Sequence, residues 1–241
     1  MSSIIVQKYG GSSLANAERI QSVAKIIINS KDAGNQMVVV VSAMGNTTNE
    51  LTSLAASISE KPDERELAIL LSTGEIMSCS LLTMALRALG YKAISLSGGQ
   101  AGIHTNMDYN RAKITDVDPK RILKELREDH IVVVAGFQGI TQEMDITTLG
   151  RGGSDITAVA LAAGLDARIC EIYMDVEGIY TADPRIVPEA RVLAEIGYEE
   201  MLELASYGAK MHPRSIELGA MFDLPILVTS SFTDTPGTLI H

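Results

Sequence analysis

Strand-like runs recur along the chain at 4–8, 37–42, 92–97, 131–136, 169–174 and 225–230, several of them rich in Val and Ile over consecutive positions. A strand with one wet face alternates apolar and polar positions. Unbroken apolar runs of this length instead predict strands covered on both faces. Helical periodicity lies between them. Ile20, Val23, Ala24, Ile27 and Ile28 follow the i, i+3, i+4, i+7, i+8 stripe of an amphipathic helix. Residues 67–89 are long, apolar and helical in composition, and 154–165 and 198–207 are two further helical stretches. Strand and helix in alternation predict an α/β fold, a three-layer αβα sandwich around a mainly parallel central sheet. Residues 101–117 break the alternation with polar and β-branched residues and read as a hairpin or flap. With no internal repeat and no low-complexity linker, residues 1–241 are expected to form one domain, or one domain with two lobes.

Composition narrows the class. Hydrophobic residues make up 46% of the chain but are divided into short runs, none reaching the roughly 18–20 residues of a membrane helix. The start, Met1-Ser2-Ser3-Ile4-Ile5-Val6, has no basic segment ahead of its apolar one and reads as a first strand, not a signal peptide. Cys79 and Cys170 have no metal-like spacing and fall in apolar elements, as expected of reduced, buried thiols in a cytoplasmic protein. Thirty acidic residues against twenty basic ones give a formal charge of −10, which argues against nucleic acid as a general partner. A triphosphate is not excluded, because one local cluster of lysine and backbone N–H groups suffices to bind it.

In open sheets of this kind ligands sit at the carboxyl ends of the strands, and the polar and glycine-rich segments fall there. Lys8-Tyr9-Gly10-Gly11-Ser12-Ser13 follows the first strand and precedes a helix. It is either a plain turn or an anion cradle with one lysine at its rim. Because the lysine precedes the glycines, it is not the phosphate loop of nucleoside triphosphatases. Ser42-Ala43-Met44-Gly45-Asn46-Thr47-Thr48 follows the second strand and is a capped loop or a substrate loop. Ser72-Thr73-Gly74-Glu75 lies in the long apolar helix. Glu75 either partners a ligand ammonium or occupies the first turn of a helix capped by Ser72 or Thr73. Thr148-Leu149-Gly150-Arg151-Gly152-Gly153-Ser154-Asp155 sets an arginine among three glycines ahead of a helix. Such an arginine can grip a carboxylate in bidentate fashion, and Asp155 can hold a lysine. Asp175 ends a strand, Asp183-Pro184-Arg185 forms a turn presenting a cation, and Lys210 follows an acidic helix, where it is a C-cap or a free cation.

Taken in order, these motifs resemble the aspartokinases of the amino acid kinase family. The likeness runs from Lys8-Tyr9-Gly10-Gly11-Ser12-Ser13 to Pro236-Gly237-Thr238-Leu239-Ile240. It is carried most specifically by Arg151-Gly152-Gly153-Ser154-Asp155 followed by Asp175-Val176-Glu177-Gly178-Ile179-Tyr180-Thr181-Ala182-Asp183-Pro184-Arg185. The resemblance implies the amino acid kinase fold and ATP-dependent phosphorylation of the side-chain carboxylate of L-aspartate, the entry step to lysine, threonine and methionine. It also implies Mg²⁺ carried by the ATP phosphates, with no protein metal site, and a homodimer. Lys8, Asp155 and Lys210 would be catalytic. Thr48, Glu75, Phe137, Arg151 and Ser154 would hold aspartate. Lys8, Gly10, Gly11, Ser12, Asp175, Tyr180, Arg185 and Lys210 would bind ATP. Against the longer members of that family, the chain is expected to be a catalytic domain without C-terminal regulatory domains. The alternatives are an enzyme of the same fold acting on another acid, or a nucleotide-binding regulator without turnover.

Overall fold

A computed structural model describes residues 3–241, so the reading of Met1 and Ser2 as the start of a strand lies outside the described residues. The chain begins with β1 (Ile4–Tyr9), a 3-10 turn at Gly11–Leu14, α1 (Ala17–Asp32) and β2 (Gln36–Val41). Two helices, α2 (Thr47–Ile58) and α3 (Glu64–Ala88), lead to β3 (Ala93–Leu96), β4 (Ile103–Thr105) and β5 (Ile114–Val117). Next come α4 (Lys120–Arg127), β6 (Ile131–Ala135), β7 (Gln138–Ile140) and β8 (Ile146–Thr148). The remainder is α5 (Gly153–Gly164), β9 (Ile169–Met174), β10 (Glu195–Ile196), α6 (Tyr198–Ser206), α7 (Pro213–Met221), β11 (Ile226–Ser230) and β12 (Thr238–Ile240).

Eight strands form one sheet in the order β10-β12-β11-β9-β1-β2-β6-β3, parallel throughout except for β11 against β12. All six runs are strands of this sheet. β1, β2 and β6 are buried on both faces, which is why their sequences do not alternate. One face packs Ile20, Val23, Ile27, Cys79 and Leu82 of α1 and α3 against Val39, Val41 and Val133. The other packs α4, α5 and α7, through Ile122, Leu126, Val159, Leu161 and Ile216, against Val38, Val40 and Val132. Helices on both sides make the expected three layers.

The segment at 101–117 is a hairpin, as expected, but it belongs to a second four-stranded sheet, β5-β4-β7-β8. The three-residue strands β7 and β8 were too short to carry a readable periodicity. Two further expectations are corrected by α3. First, its 25 residues include an 18-residue window of mean hydropathy 1.6, so by length and composition it could cross a membrane. Half of that window is buried inside the protein, and Glu75 lies within it. Secondly, the helix is capped by Asp63, whose carboxylate accepts from the Arg65 and Glu66 N–H groups. Ser72 and Thr73 are therefore interior residues, not caps, and Glu75 stands mid-helix.

Candidate active site

Parallel strands deliver their following loops to one edge, and here β11, β9, β1, β2 and β6 lie side by side. That edge therefore collects Ser231, Asp175, Lys8, Ala43 and Phe137, each at or just past a strand end. A cleft of about 260 Å³ opens there, and Lys8, Gly11, Thr48, Glu75, Phe137, Arg151, Ser154 and Asp155 all line it.

Local packing explains how these groups converge. A side chain on Gly11 would put its Cβ 2.7 Å from the Ala43 carbonyl oxygen, and one on Gly74 would put it 2.9 Å from Ala43 Cβ. Only glycine at both positions lets the loop after β2 settle between the turn after β1 and α3. The Gly45 N–H then donates to the Gly11 carbonyl (3.0 Å), and the Ala43 N–H donates to Glu75 Oε1 (3.0 Å). Glu75 is 3% exposed, and its Oε2 has no hydrogen-bond partner among the described residues. Burial pushes its carboxyl up to about 7, against the opposing pull of the Ala43 N–H. A buried, half-satisfied carboxylate facing a cleft is a receptor for an ammonium group.

On the opposite wall, Gly152 caps α5 in the left-handed region (φ 73°) with no side chain to satisfy the first turn. Asp155, in that turn, reaches Lys8 with Oδ1 to Nζ at 2.6 Å, both side chains about nine-tenths buried. The contact is a buried ion pair. Phe137 also has a left-handed backbone (φ 69°), rare for a bulky residue. Its N–H donates to Thr157 Oγ1 (3.1 Å) and its carbonyl accepts from the Leu149 N–H (2.8 Å). Those two bonds from α5 and the 148–153 segment fix the unfavourable conformation and bring Phe137 to the cleft.

Not every expected residue joins the cleft. Lys210 lies past the end of α6 and bonds Asp175 Oδ1 at 2.8 Å; it caps no helix, and the second lysine is held by Asp175, whereas Asp155 holds Lys8 alone. Both side chains of that outer pair are about half exposed, and the Lys210 hydrogen bond holds the Asp175 carboxyl below its usual range. Gly10 adjoins Lys8, with Nζ 3.6 Å from where a Cβ would stand, and Ser12 is exposed on the 3-10 turn. The Tyr180 hydroxyl donates to Glu177 (3.4 Å), outside the cleft. Arg185 folds back onto Asp183 at 2.7 Å, which pulls that carboxyl down to about 2, so the turn presents a neutralised pair and not a free cation. Among the described residues, the cluster with metal-ligand spacing is Glu125, Glu128 and His130, at the opposite sheet edge where β6 begins, with Glu125 already held by Arg121.

Residues 3–230 match the family model described as the amino acid kinase family. The chain belongs to that family. It is 54% identical over 239 residues to an aspartokinase of Mycolicibacterium smegmatis, covering 98% of this chain and 57% of that protein. The chain thus spans little more than half the length of that curated relative. The crystal structure of aspartate kinase from Synechocystis superposes with a TM-score of 0.88 at 50% identity, over 98% of this chain and 39% of that one. Aspartokinase III of E. coli, solved in complex with aspartate and ADP, gives 0.88 at 30% identity over 98% of this chain and 64% of that one. Family membership fits the three-layer fold and the glycine-rich edge. Residues to which the sequence assigned no individual role also build that edge. Ser13 Oγ meets Ser231 Oγ at 2.7 Å, tying the turn after β1 to the loop after β11, and His212 packs against Gly152. A single serine or histidine carries no periodic signal, and the packing of the turn after β1, the loop after β11 and the start of α7 places them here.

Proposed function

We propose that this chain transfers the γ-phosphoryl group of ATP to the side-chain carboxylate of L-aspartate, giving 4-phospho-L-aspartate and ADP. The carrying observation is that one cleft holds an unsatisfied buried carboxylate, Glu75, an arginine, Arg151, and a preformed Lys8–Asp155 pair. An α-amino acid offers an ammonium and a carboxylate, which suit Glu75 and Arg151. The likeness to proteins named aspartokinase supports aspartate as that acid. Its side-chain carboxylate would then lie towards Lys8. Thr48, Phe137 and Ser154 complete this end.

The acceptor is already ionised, so no general base is required, and catalysis reduces to alignment and charge stabilisation. Lys8 neutralises charge on the transferring phosphoryl group, and Asp155 holds its ammonium in place. The Gly10 N–H is bonded to the Tyr173 carbonyl (3.4 Å), so Gly10 would shape the turn while the Gly11 and Ser12 N–H groups would meet phosphates. The second pair, Lys210 with Asp175, stands on the nucleotide side with Tyr180 and Arg185. Asp155 and Asp175 are each engaged by a lysine, so Mg²⁺ would enter on the ATP phosphates and neutralise their charge without a protein carboxylate of its own. A homodimer is part of this reading. It is supported by the exposed apolar side chains Leu54 and Ile58 of α2 and Met77, Leu81 and Met84 of α3.

The test is ADP release across a panel of amino acids. Aspartate is expected to exceed glutamate by about 10²-fold in kcat/KM, because one extra methylene displaces the acceptor oxygen by more than about 1 Å. Equal values for the two acids would refute the anchoring by Glu75 and Arg151.

A further inference from the structure

His212 has no part in the chemistry above, yet it touches the turn that carries Arg151. A Cβ on Gly152 would stand 2.5 Å from His212 Cδ2 and 3.0 Å from its Cβ and Cγ, so the ring occupies the space that glycine leaves open. His212 is itself anchored to α7. Its Nδ1 accepts from the Arg214 N–H (3.1 Å), capping the helix. Its carbonyl accepts from the Ser215 N–H (2.9 Å) and the Ser215 hydroxyl (2.6 Å). Pro213 at the first helical position fixes the backbone beyond it. Burial, aided by the Arg214 charge, pushes the imidazole below its usual range, which favours the neutral ring whose Nδ1 lone pair the cap requires. The turn it meets is closed by the Gly153 N–H on the Gly150 carbonyl (3.0 Å), and no side chain caps it. Gly150 and Gly152 are both left-handed.

We propose that His212 is a positioning residue whose ring wedges against Gly152 and fixes the 150–153 turn, holding Arg151 and Asp155 on the acid-binding wall. This rests on the functional reading above and deepens it, by making the α5–α7 contact a determinant of acceptor affinity. Phosphoryl transfer is sensitive to misplacement on the scale of an ångström, and a turn with two left-handed glycines has several accessible conformations once its wedge is lost.

Two substitutions separate the wedge from the cap. His212→Asn keeps a capping side chain and removes the ring. His212→Phe keeps a ring and removes the cap. The expected result is that His212→Asn raises KM for aspartate about tenfold, with KM for ATP and the melting temperature close to wild type. His212→Phe should lower the melting temperature and leave KM for aspartate near wild type. A second readout needs no turnover: amide hydrogen exchange at 150–155 should accelerate in His212→Asn and not in His212→Phe. The proposal is overturned by a wild-type KM and exchange profile in His212→Asn, by parallel rises in KM for aspartate and ATP, or by equal effects of the two variants on the turn. If the wild-type chain releases no ADP with aspartate, the functional reading falls, and the exchange comparison still decides the wedge.

Discussion

Glu75→Gln is expected to give a protein that is more stable at pH 8 and binds the acceptor less well. The reasoning starts from the 3% exposure of the side chain, one N–H donor at Oε1 and none at Oε2. Burial raises the carboxyl from 4.5 to about 7. The folded chain therefore holds a proton that the unfolded chain has lost, and stability falls as pH rises from about 4.5 to about 7 before levelling off. At about 1.4 kcal/mol for each pH unit of that gap, ionised Glu75 costs the fold about 3 kcal/mol at pH 8. Glutamine keeps the acceptor for the Ala43 N–H, carries no charge, and leaves a neutral group at the Oε2 position, much as the protonated acid does. Urea unfolding of both proteins should give nearly equal stabilities at pH 4.5 and an advantage to the glutamine variant approaching about 3 kcal/mol at pH 8. The same variant gives up the charge-assisted bond to a substrate ammonium. That bond is worth about 1.5–3 kcal/mol, so KM for aspartate should rise about 10–100-fold. A stability difference independent of pH would refute the burial argument, and an unchanged KM would remove Glu75 from the acid site.

Lys8→Ala should lower kcat by about 10²–10³-fold with KM for aspartate little changed, and Lys8→Arg should not rescue it, because a planar fork does not reproduce a compact ammonium. The alanine variant also strands Asp155 and should lose about 3–5 kcal/mol of stability; adding Asp155→Asn should recover much of that by chemical denaturation while leaving activity absent. Burial pushes the Cys79 thiol up to about 12 and the Cys170 thiol higher still. Neither should react with a thiol reagent at pH 8 until the protein unfolds, when two equivalents should appear.

The layered fold was legible because its strands are buried on both faces and leave unbroken apolar runs, and because α1 keeps one clean stripe. The second sheet was not, since three-residue strands such as Gln138–Ile140 are defined by partners and not by pattern. Two lining residues of the cleft could be picked out one by one: a glutamate inside an apolar helix and an arginine among glycines each violate the local rule for their surroundings, and both line the cleft. Chemistry shows in a sequence where it is locally expensive. The proposed nucleotide side was less readable, because Asp175, Lys210 and Arg185 are exposed charges that any surface carries, and only the fold shows that each has a close partner.

The two lysine–carboxylate pairs flank adjacent strands, yet one is about nine-tenths buried and the other about half exposed. Mobile ions at physiological strength screen charges in open water beyond about 8 Å but reach a buried pair far less. The carboxyl edge of the sheet is thus divided by dielectric into a dry part, the cleft with its buried pair, whose charges keep their geometry whatever the solution contains, and a wet part outside the cleft, whose attraction for an anion weakens as salt is added. On the proposed function, ionic strength acts as a selective dial, altering the hold on the polyanionic donor while the alignment of the acceptor stays as the fold set it.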